Sequence, residues 1–334
     1  MKKIVYISNS DCENIEVWEL NKNGKMNLIQ KINTYGNVQP ISIIKKHNLL
    51  YAGLRPNNRI DVYSINNNGL LNNTNTSFIP GPPNYISFDQ DENFLFCSSY
   101  HKNCISVSPL NKYGIPQQPI QIIHNIKGCH AAKMNHKYNI LFVTSLKEDC
   151  IYFYYLTEFG ILKSTNQTPI YTQKKSGPRH LVFHPNYKFM YTINELNGTI
   201  DVWSITNEGN LIKIENIQNI NILDCQISQS YWSADIHITS CGRFLYVSDR
   251  ILNTISLFHV NKDNKKLIFY TSYVTAEQPR SFCIDTDNCL LIVIGQKSNK
   301  IVIYSISENT GELTKLNSYK TNIGALWVLI HNIV

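Results

Sequence analysis

Ile15-Glu16-Val17-Trp18 is the first of seven short strand patterns that decide the fold of this chain. The other six copies are Ile60-Asp61-Val62-Tyr63, Ile105-Ser106-Val107-Ser108, Ile151-Tyr152-Phe153-Tyr154, Ile200-Asp201-Val202-Trp203, Ile255-Ser256-Leu257-Phe258 and Ile301-Val302-Ile303-Tyr304. Their leading isoleucines are separated by 45, 45, 46, 49, 55 and 46 residues. A strand-rich repeat of about 40–50 residues is typical of β-propellers. Because seven copies use up the 334 residues, the pattern predicts an all-β, seven-bladed β-propeller.

Each repeat contains four strand candidates, named A to D in chain order. In residues 177–214 the candidates are His180–Phe183, Phe189–Ile193, Thr199–Ile205 and Leu211–Ile214. Asn-, Gly- and Pro-containing turns separate them, as expected of successive hairpins. No segment has a long helical period of apolar residues. The repeat therefore predicts four antiparallel strands per blade.

The two ends of the chain complement each other. The N-terminal residues supply strands B, C and D of one blade at Lys3–Ile7, Ile15–Leu20 and Leu28–Ile32, without a strand A. The C-terminal residues supply a lone strand A at Leu326–Ile330. We therefore expect one blade to be closed by the N-terminal strands and the C-terminal strand, which would remove exposed sheet edges. Residues 1–334 are predicted to form a single domain.

Composition indicates a cytoplasmic protein. The chain is 43% hydrophobic and 16% charged, and it has no apolar run near the roughly 18 residues that span a bilayer. Polar residues interrupt the first strand before a signal-peptide core could form. The nine cysteines are scattered and include no Cys-x-x-Cys pair, so we expect reduced, structural thiols rather than a metal site.

The net charge of +7 says little about partners. The lysines are dispersed, many of them in outer hairpins such as 262–266, and the chain is rich in Asn, Ile, Lys and Tyr, as an AT-rich genome would produce. Biased composition is the favoured explanation. A basic pocket for an anionic small molecule is the next alternative, and nucleic acid is the least favoured partner. No membrane or obligatory protein partner is expected.

The repeats diverge on one face of the predicted propeller. The loop before strand A and the loop between strands B and C both open there, around the central channel. Aligned across the repeats, the two positions at the start of strand A hold Ile41, Asn84, His130, Arg179, Ala234, Arg280 and Leu326, followed by Ser42, Tyr85, Ala131, His180, Asp235, Ser281 and Trp327. The B–C loop position holds Ser10, Arg55, Tyr100, Leu146, Glu195, Arg250 and Gln296. Irregular charged positions on a regular scaffold are where function usually lies.

Structural roles remain open for these residues. Arg179 and Arg280 follow prolines and could brace neighbouring blades through backbone carbonyls. Glu195 could be a turn residue, and His130 a buried structural histidine. The remaining alternatives are core or spacer roles for His180 and His237, pairing of Asp235 with Arg250 or Arg280, and packing for Trp232.

Several motifs resemble one family. They are Gly177-Pro178-Arg179-His180-Leu181, Asn194-Glu195-Leu196, Ala234-Asp235-Ile236-His237-Ile238, Asp249-Arg250, Gln278-Pro279-Arg280 and Gly295-Gln296-Lys297-Ser298. In this order they resemble the propeller-type bacterial 6-phosphogluconolactonases, and the resemblance runs from Val5 to Trp327. It implies hydrolysis of 6-phospho-D-glucono-1,5-lactone, the second step of the oxidative pentose phosphate pathway. Fungal carboxy-muconate cyclases of the same superfamily use Arg, His and Glu, and the resemblance carries those roles to His130, Arg179, Glu195 and Arg250.

These residue types suit lactone hydrolysis. Glu195, or His130 as the second choice, would deprotonate water, and arginines would stabilise the oxyanion. The residues expected to bind the substrate and its phosphate are Arg280, Arg55, His180, Asp235 and Lys297, with Lys147 as an alternative lysine. No metal or cofactor is expected. The alternatives are a muconate-type lactonising cycloisomerase and a non-catalytic propeller that binds a protein. A broad apolar patch would favour the last, and an arginine-lined pocket an enzyme.

Overall fold

Seven antiparallel sheets make up the protein. The computed structural model describes residues 2–165, 167–208, 211–224 and 230–333, and no helix occurs in those ranges. The innermost strand of each sheet packs against the innermost strand of the next sheet, and the ring closes around a central channel. The predicted seven-bladed β-propeller is confirmed. Blade 1 contains the N-terminal strands, and blades 2 to 7 follow in chain order.

In every blade strand A is innermost and strand D outermost. From strand A outward, blade 1 consists of Ala325–Ile333, Lys2–Asn9, Asn14–Leu20 and Met26–Asn33. Blade 2 consists of Asn37–Ile44, Leu49–Arg55, Arg59–Ile65 and Leu71–Phe78. Blade 3 consists of Tyr85–Phe88, Phe94–Ser99, Cys104–Pro109 and Gln121–Ile123. Blade 4 consists of Cys129–Asn135, Ile140–Ser145, Cys150–Leu156 and an outer strand in two pieces, Leu162–Ser164 and Ile170–Tyr171.

Blades 5 to 7 have continuous outer strands. Blade 5 consists of Pro178–Phe183, Phe189–Asn194, Thr199–Glu208 and Leu211–Asn221. Blade 6 consists of Ser233–Ile238, Phe244–Asp249, Thr254–Val260 and Leu267–Val274. Blade 7 consists of Pro279–Ile284, Leu290–Gly295, Lys300–Ile306 and Leu313–Lys320.

Blade 1 joins the two ends of the chain, as predicted. Its strands A and B are antiparallel, with Val5 opposite Ile330. A buried ion pair ties this blade to blade 7, because Lys3 Nζ lies 2.5 Å from Asp285 Oδ2 and 2.8 Å from Asp287 Oδ2. We call these three residues the clasp. It lies at the A–B turn of blade 7, on the face opposite the B–C loops.

The hydrophobic core lies between the blades. The leading isoleucines of all seven repeats are fully buried. Each blade packs both of its faces against neighbours, so one cluster joins Ile292, Ile301 and Ile303 of blade 7 to Val5 and Val328 of blade 1. Burying a side chain of this size contributes about 1.5–3 kcal/mol, which is why isoleucine recurs at this position.

Bulges interrupt strand A where it enters the channel in blades 1 and 2 and again in blades 4 to 7. The pairing register shifts around His130, Arg179, Asp235 and Arg280. A bulge locally breaks the ladder and re-aims the side chain of the extra residue. The regular scaffold therefore changes direction at the positions where the repeats diverge in sequence.

The cysteines of the described ranges are free thiols. Five are buried, as expected of thiols that act as apolar filler, whereas Cys12, Cys241 and Cys289 are exposed. Cys225 lies outside the described residues. Within those residues, no helix is long and apolar enough to cross a membrane.

Candidate functional site

One carboxylate forms ion pairs with two guanidinium groups at the channel mouth. Glu195 follows strand B of blade 5, Arg179 lies in the bulge of strand A of the same blade, and Arg250 follows strand B of blade 6. Glu195 Oε2 lies 2.8 Å from Arg179 Nε and 2.9 Å from an Arg250 terminal nitrogen. Because the Arg179 Nε–H is not aligned well enough for a hydrogen bond, that contact is an ion pair. The fold thus brings together three of the predicted catalytic residues.

The two arginines are held rigidly from the backbone. Arg179 is 1% exposed and donates to the carbonyl of Ala234 in blade 6. Arg250 is 3% exposed and donates to the carbonyls of Trp232 and Ser233, each at 3.1 Å. The expectation that arginines brace blades through carbonyls therefore holds for Arg179. Both arginines also form ion pairs with Glu195, so their guanidinium groups do more than hold backbone carbonyls.

Trp232 belongs to this cluster, although packing was predicted for it. Its indole Nε1–H donates to Glu195 Oε1 at 3.2 Å, and the Arg250 guanidinium carbon lies 3.8 Å from the centroid of its ring. A tryptophan ring beneath a guanidinium stabilises the cation. Its place two residues before Ala234, in the loop that enters strand A, is the signal that could have identified it.

Glu195 is ionised in this setting. Burial by itself would raise the pKa of its carboxyl group, but the charges of Arg179 and Arg250 outweigh burial and hold that pKa below its ordinary value. Burial, followed by the charge of Arg179, lowers the pKa of Arg250, although a guanidinium stays protonated at neutral pH. The cluster therefore has a net positive charge.

Arg280 adds a further guanidinium. It is half-buried, and its side chain makes no hydrogen bond or ion pair with the residues that the structure describes. Burial and the charge of Arg179 lower the pKa of Arg280 to about 9. Arg55 faces the same region from blade 2, but it donates to the carbonyl of Pro83 and to Asn84 Oδ1. Of the two cations, Arg280 is therefore the one whose guanidinium N–H groups have no protein acceptor among the described residues.

His130 is buried beside the arginines. Its ring lies 5.1 Å from that of His180 and 6.1 Å from that of Tyr100. Its backbone carbonyl accepts hydrogen bonds from Asn84 Nδ2 and Ser98 Oγ, which fix the strand. Within the described ranges, its Nδ1 is buried without a hydrogen-bond partner. Burial and the charge of Arg179 lower the pKa of His130 well below its ordinary value, so the ring is neutral.

His180 and Asp235 lie one position further along strand A and contact each other. His180 Nδ1 is 2.8 Å from Asp235 Oδ1, and His237 Nε2 is 3.3 Å from Asp235 Oδ2. The predicted alternative that Asp235 pairs with Arg250 or Arg280 is wrong, because two histidines occupy its carboxylate instead. The core role predicted for His237 is also wrong, since its side chain is 35% exposed and touches Asp235.

The two lysines differ in position. Lys297 is exposed in the B–C loop of blade 7, and its side chain makes no contact with the arginine cluster among the described residues. Lys147 Nζ lies 4.9 Å from the centroid of the Tyr100 ring, which in turn contacts His130. Lys147 is therefore the lysine that the fold brings toward this site.

No cluster of three or more His, Cys, Asp or Glu side chains in the described parts of the chain could hold a metal ion. A metal-independent reaction stays a prediction.

Comparison with known proteins identifies the family of the chain. Residues 4–330 match the family model described as lactonase, 7-bladed beta-propeller. The chain is 66% identical to the 6-phosphogluconolactonase of Buchnera aphidicola subsp. Acyrthosiphon pisum (strain 5A), over 99% of both chains. It is 38% identical to that of Yersinia pseudotuberculosis serotype O:3 (strain YPIII), over 99% of this chain and 98% of the other.

Solved structures show the same fold at low sequence identity. The periplasmic gluconolactonase of Pseudomonas aeruginosa superimposes with a TM-score of 0.92 at 19% identity over the whole of both chains. A putative 6-phosphogluconolactonase of Bacteroides fragilis gives a TM-score of 0.89 at 20% identity, covering 99% of this chain and 98% of the other.

Proposed function

Because the chain belongs to the seven-bladed β-propeller lactonase family, we propose that it hydrolyses 6-phospho-D-glucono-1,5-lactone to 6-phospho-D-gluconate. The reaction opens a cyclic ester with water and is the second step of the oxidative pentose phosphate pathway. The relatives named for this activity match essentially the full length of the chain.

The surplus of positive charge at the channel mouth carries the proposal. Glu195 carries one negative charge, whereas Arg179, Arg250 and Arg280 carry three positive charges. Arg55 of blade 2 adds a positive charge close enough to lower the pKa of Arg280. Such a mouth attracts an anion and is not the broad apolar patch expected of a protein-binding propeller. A sugar lactone with a phosphate group fits this charge.

The reaction needs an activated water and a stabilised oxyanion. Glu195, with His130 as the second choice, is the residue predicted from the sequence to take a proton from water as its oxygen attacks the acyl carbon. General-base help of this kind typically supplies about 10²–10⁴-fold. Glu195 is ionised but a weak base, because the neighbouring arginines lower its pKa. Arg179 and Arg250 would stabilise the negative charge that develops on the carbonyl oxygen.

Arg280 is the leading candidate for the phosphate. A guanidinium without a protein partner can form two parallel hydrogen bonds with a phosphate. Arg55 and Lys147 add charge beside it. His180, Asp235 and Lys297 are not needed for this contact, and an ionised Asp235 would repel a phosphate at short range.

The test measures hydrolysis of freshly generated 6-phosphogluconolactone by the purified protein against spontaneous hydrolysis. We expect acceleration of this substrate and a much higher KM for unphosphorylated glucono-1,5-lactone. Turnover of muconate-type acids without lactonase activity would identify a cycloisomerase instead. No turnover of either class would overturn the proposal.

The absence of nucleic-acid, membrane and obligatory protein partners stays a prediction, as does the cytoplasmic location. Sedimentation with nucleic acid or vesicles and fractionation of cells would test these predictions.

A further inference from the structure

The carboxylate of Asp235 is surrounded by hydrogen-bond donors. The carboxylate is buried, and its oxygens face His180 Nδ1 at 2.8 Å and His237 Nε2 at 3.3 Å. It also accepts backbone N–H groups from Ile236 at 3.0 Å and Phe282 at 3.3 Å. A carboxylate surrounded by donors stays ionised, so both histidines present N–H groups to it.

This arrangement fixes the proton of His180. A neutral imidazole carries one N–H, and the hydrogen bond made by one nitrogen decides which atom bears it. With the proton on Nδ1 facing Asp235, the Nε2 atom has a lone pair. Within the described ranges, that Nε2 is buried and has no hydrogen-bond partner. A buried nitrogen without a partner needs an explanation, and a role in the reaction is one.

His180 is next to the arginine cluster in sequence, and the charge of Arg179 acts on its ring. It follows Arg179 in the chain, and its ring lies 5.1 Å from that of His130. The rings of Tyr85 and Trp327 lie 5.3 and 5.7 Å from it. His180, Asp235 and Ser281 also line a cavity of about 200 Å³. His180 thus contacts His130 and also faces this cavity.

We propose that Asp235 is a positioning residue that holds the proton of His180 on Nδ1, and that Nε2 of His180 receives the proton of the attacking water. The inference rests on the proposed lactonase function. Water gives one proton to Nε2, and its oxygen bonds to the acyl carbon. When the bond between that carbon and the ring oxygen breaks, the ring oxygen takes the proton back from Nε2 and becomes a hydroxyl group. The net change is addition of one water molecule.

The proposal assigns Glu195 a different part. Its carboxylate is held between two arginines and a tryptophan, which suits it to fixing the oxyanion-binding guanidinium groups. The Nε2 atom of His180 has no such partner in the described part of the chain, so its lone pair is not used by the protein. Asp235 supports the imidazolium that forms transiently.

Other charged groups also act on this pair. Those facing His180 or Asp235 are Arg179, Arg280, His130, His237, Lys133 and Tyr85. A pH profile must therefore be compared between variants and not interpreted from the wild type alone.

The experiment compares Asp235→Asn and His180→Gln with the wild type. An asparagine amide donates to Nδ1 and so moves the histidine proton to Nε2. We expect kcat to fall on the order of 10²-fold in each variant, with little change in KM. The matched control is Asp61→Asn, a buried aspartate that pairs with Arg59 in blade 2, outside the site. Its kcat should equal that of the wild type.

Nitrogen-15 NMR of the histidines gives a readout that needs no turnover. The wild type should show His180 protonated at Nδ1, and Asp235→Asn should show it protonated at Nε2. Protonation of wild-type His180 at Nε2 would overturn the inference even if the variants do not fold. Unchanged kcat in folded Asp235→Asn would also overturn it.

The two proposals fail separately. If the wild type does not accelerate lactone hydrolysis, the proposed function itself is wrong. If the wild type does so and the His180 and Asp235 variants match it, only the inference about His180 is wrong.

Discussion

Two buried charge clusters lie at opposite faces of this propeller and differ in balance. At the clasp, one cation, Lys3, meets two carboxylates, Asp285 and Asp287. Asp287 is 58% exposed, so water shares the excess negative charge. At the mouth, one carboxylate, Glu195, meets two nearly inaccessible guanidinium groups. Arg280 adds a third positive charge with no partner in the described part of the chain.

The difference is the one expected between a structural ion pair and the proposed binding site. Buried ion pairs seldom add much net stability, because desolvation offsets attraction, but removing one partner is costly. The clasp is satisfied within the protein and by solvent. At the mouth, the half-buried Arg280 guanidinium makes no hydrogen bond or ion pair in the described part of the chain, which leaves it available to an anion. Charge balance therefore distinguishes the two clusters better than burial, which they share.

Deleting strand A of blade 1, which closes the ring, should have the largest effect. Deletion of residues 325–334 removes strand A of blade 1 and exposes strand B, which pairs with it. We expect loss of cooperative folding, measured by circular dichroism and thermal melting. A deletion variant with a wild-type melting transition would contradict this prediction.

Breaking the clasp itself should weaken folding without changing chemistry. Lys3→Met leaves the Asp285 carboxylate buried without its cation, at a cost of about 3–5 kcal/mol. Urea unfolding measures the loss, and kcat of the folded protein should be unchanged. The control is Lys2→Met, which removes a half-exposed surface pair with Glu19. Equal losses in the two variants would show that the clasp is not special.

Substitutions in the arginine cluster at the mouth should lower activity and leave folding intact. Arg179→Ala and Glu195→Gln should each lower kcat/KM by about 10²–10³-fold, or 2.7–4 kcal/mol, while the protein still folds. Arg59→Ala is a control, since that arginine pairs with Asp61 away from the mouth. Full lactonase activity in both site variants would refute the assignment.

Arg280→Ala tests the uncompensated charge. We expect KM for the phosphorylated lactone to rise by about 10–100-fold, because a charged hydrogen bond contributes about 1.5–3 kcal/mol. The KM for unphosphorylated glucono-1,5-lactone should stay the same. An equal rise for both substrates would argue against a phosphate contact.

The last prediction concerns pH. Burial, followed by the charge of Arg179, lowers the pKa of His180 from 6.5 to about 4. Between these pH values the unfolded chain binds a proton that the folded protein does not. The free energy of unfolding therefore falls as pH falls, by up to about 1.4 kcal/mol per pH unit. Urea unfolding at several pH values should show a shallower dependence in His180→Gln, and an identical slope would contradict the prediction.

The sequence predicts the scaffold well because the scaffold repeats. Ile15 and its six counterparts mark strand C of every blade, and the lone strand at Leu326–Ile330 predicts the closure of blade 1. The interrupted outer strand of blade 4 does not follow from the repeat, although Pro169, which cannot donate to a strand ladder, lies just before its second piece at Ile170.

The site is predictable only in part. Alignment of the repeats identifies Arg179, Glu195 and Arg250 as residues of one face, and the structure brings them into contact. Alignment does not show that Asp235 meets histidines or that Trp232 joins Glu195. Such pairings connect different blades, and side-chain reach across the channel depends on the radius of the ring, which local sequence does not encode.

Joining the two ends of the chain in blade 1 has a consequence for synthesis. Strand B, near the start, must wait for strand A, some 320 residues later, before its inner edge is paired. At about 5–20 residues per second, translation leaves that edge open for tens of seconds. The nascent chain is therefore most exposed to aggregation before the ribosome releases its final strand, and chaperone dependence should concentrate in that interval.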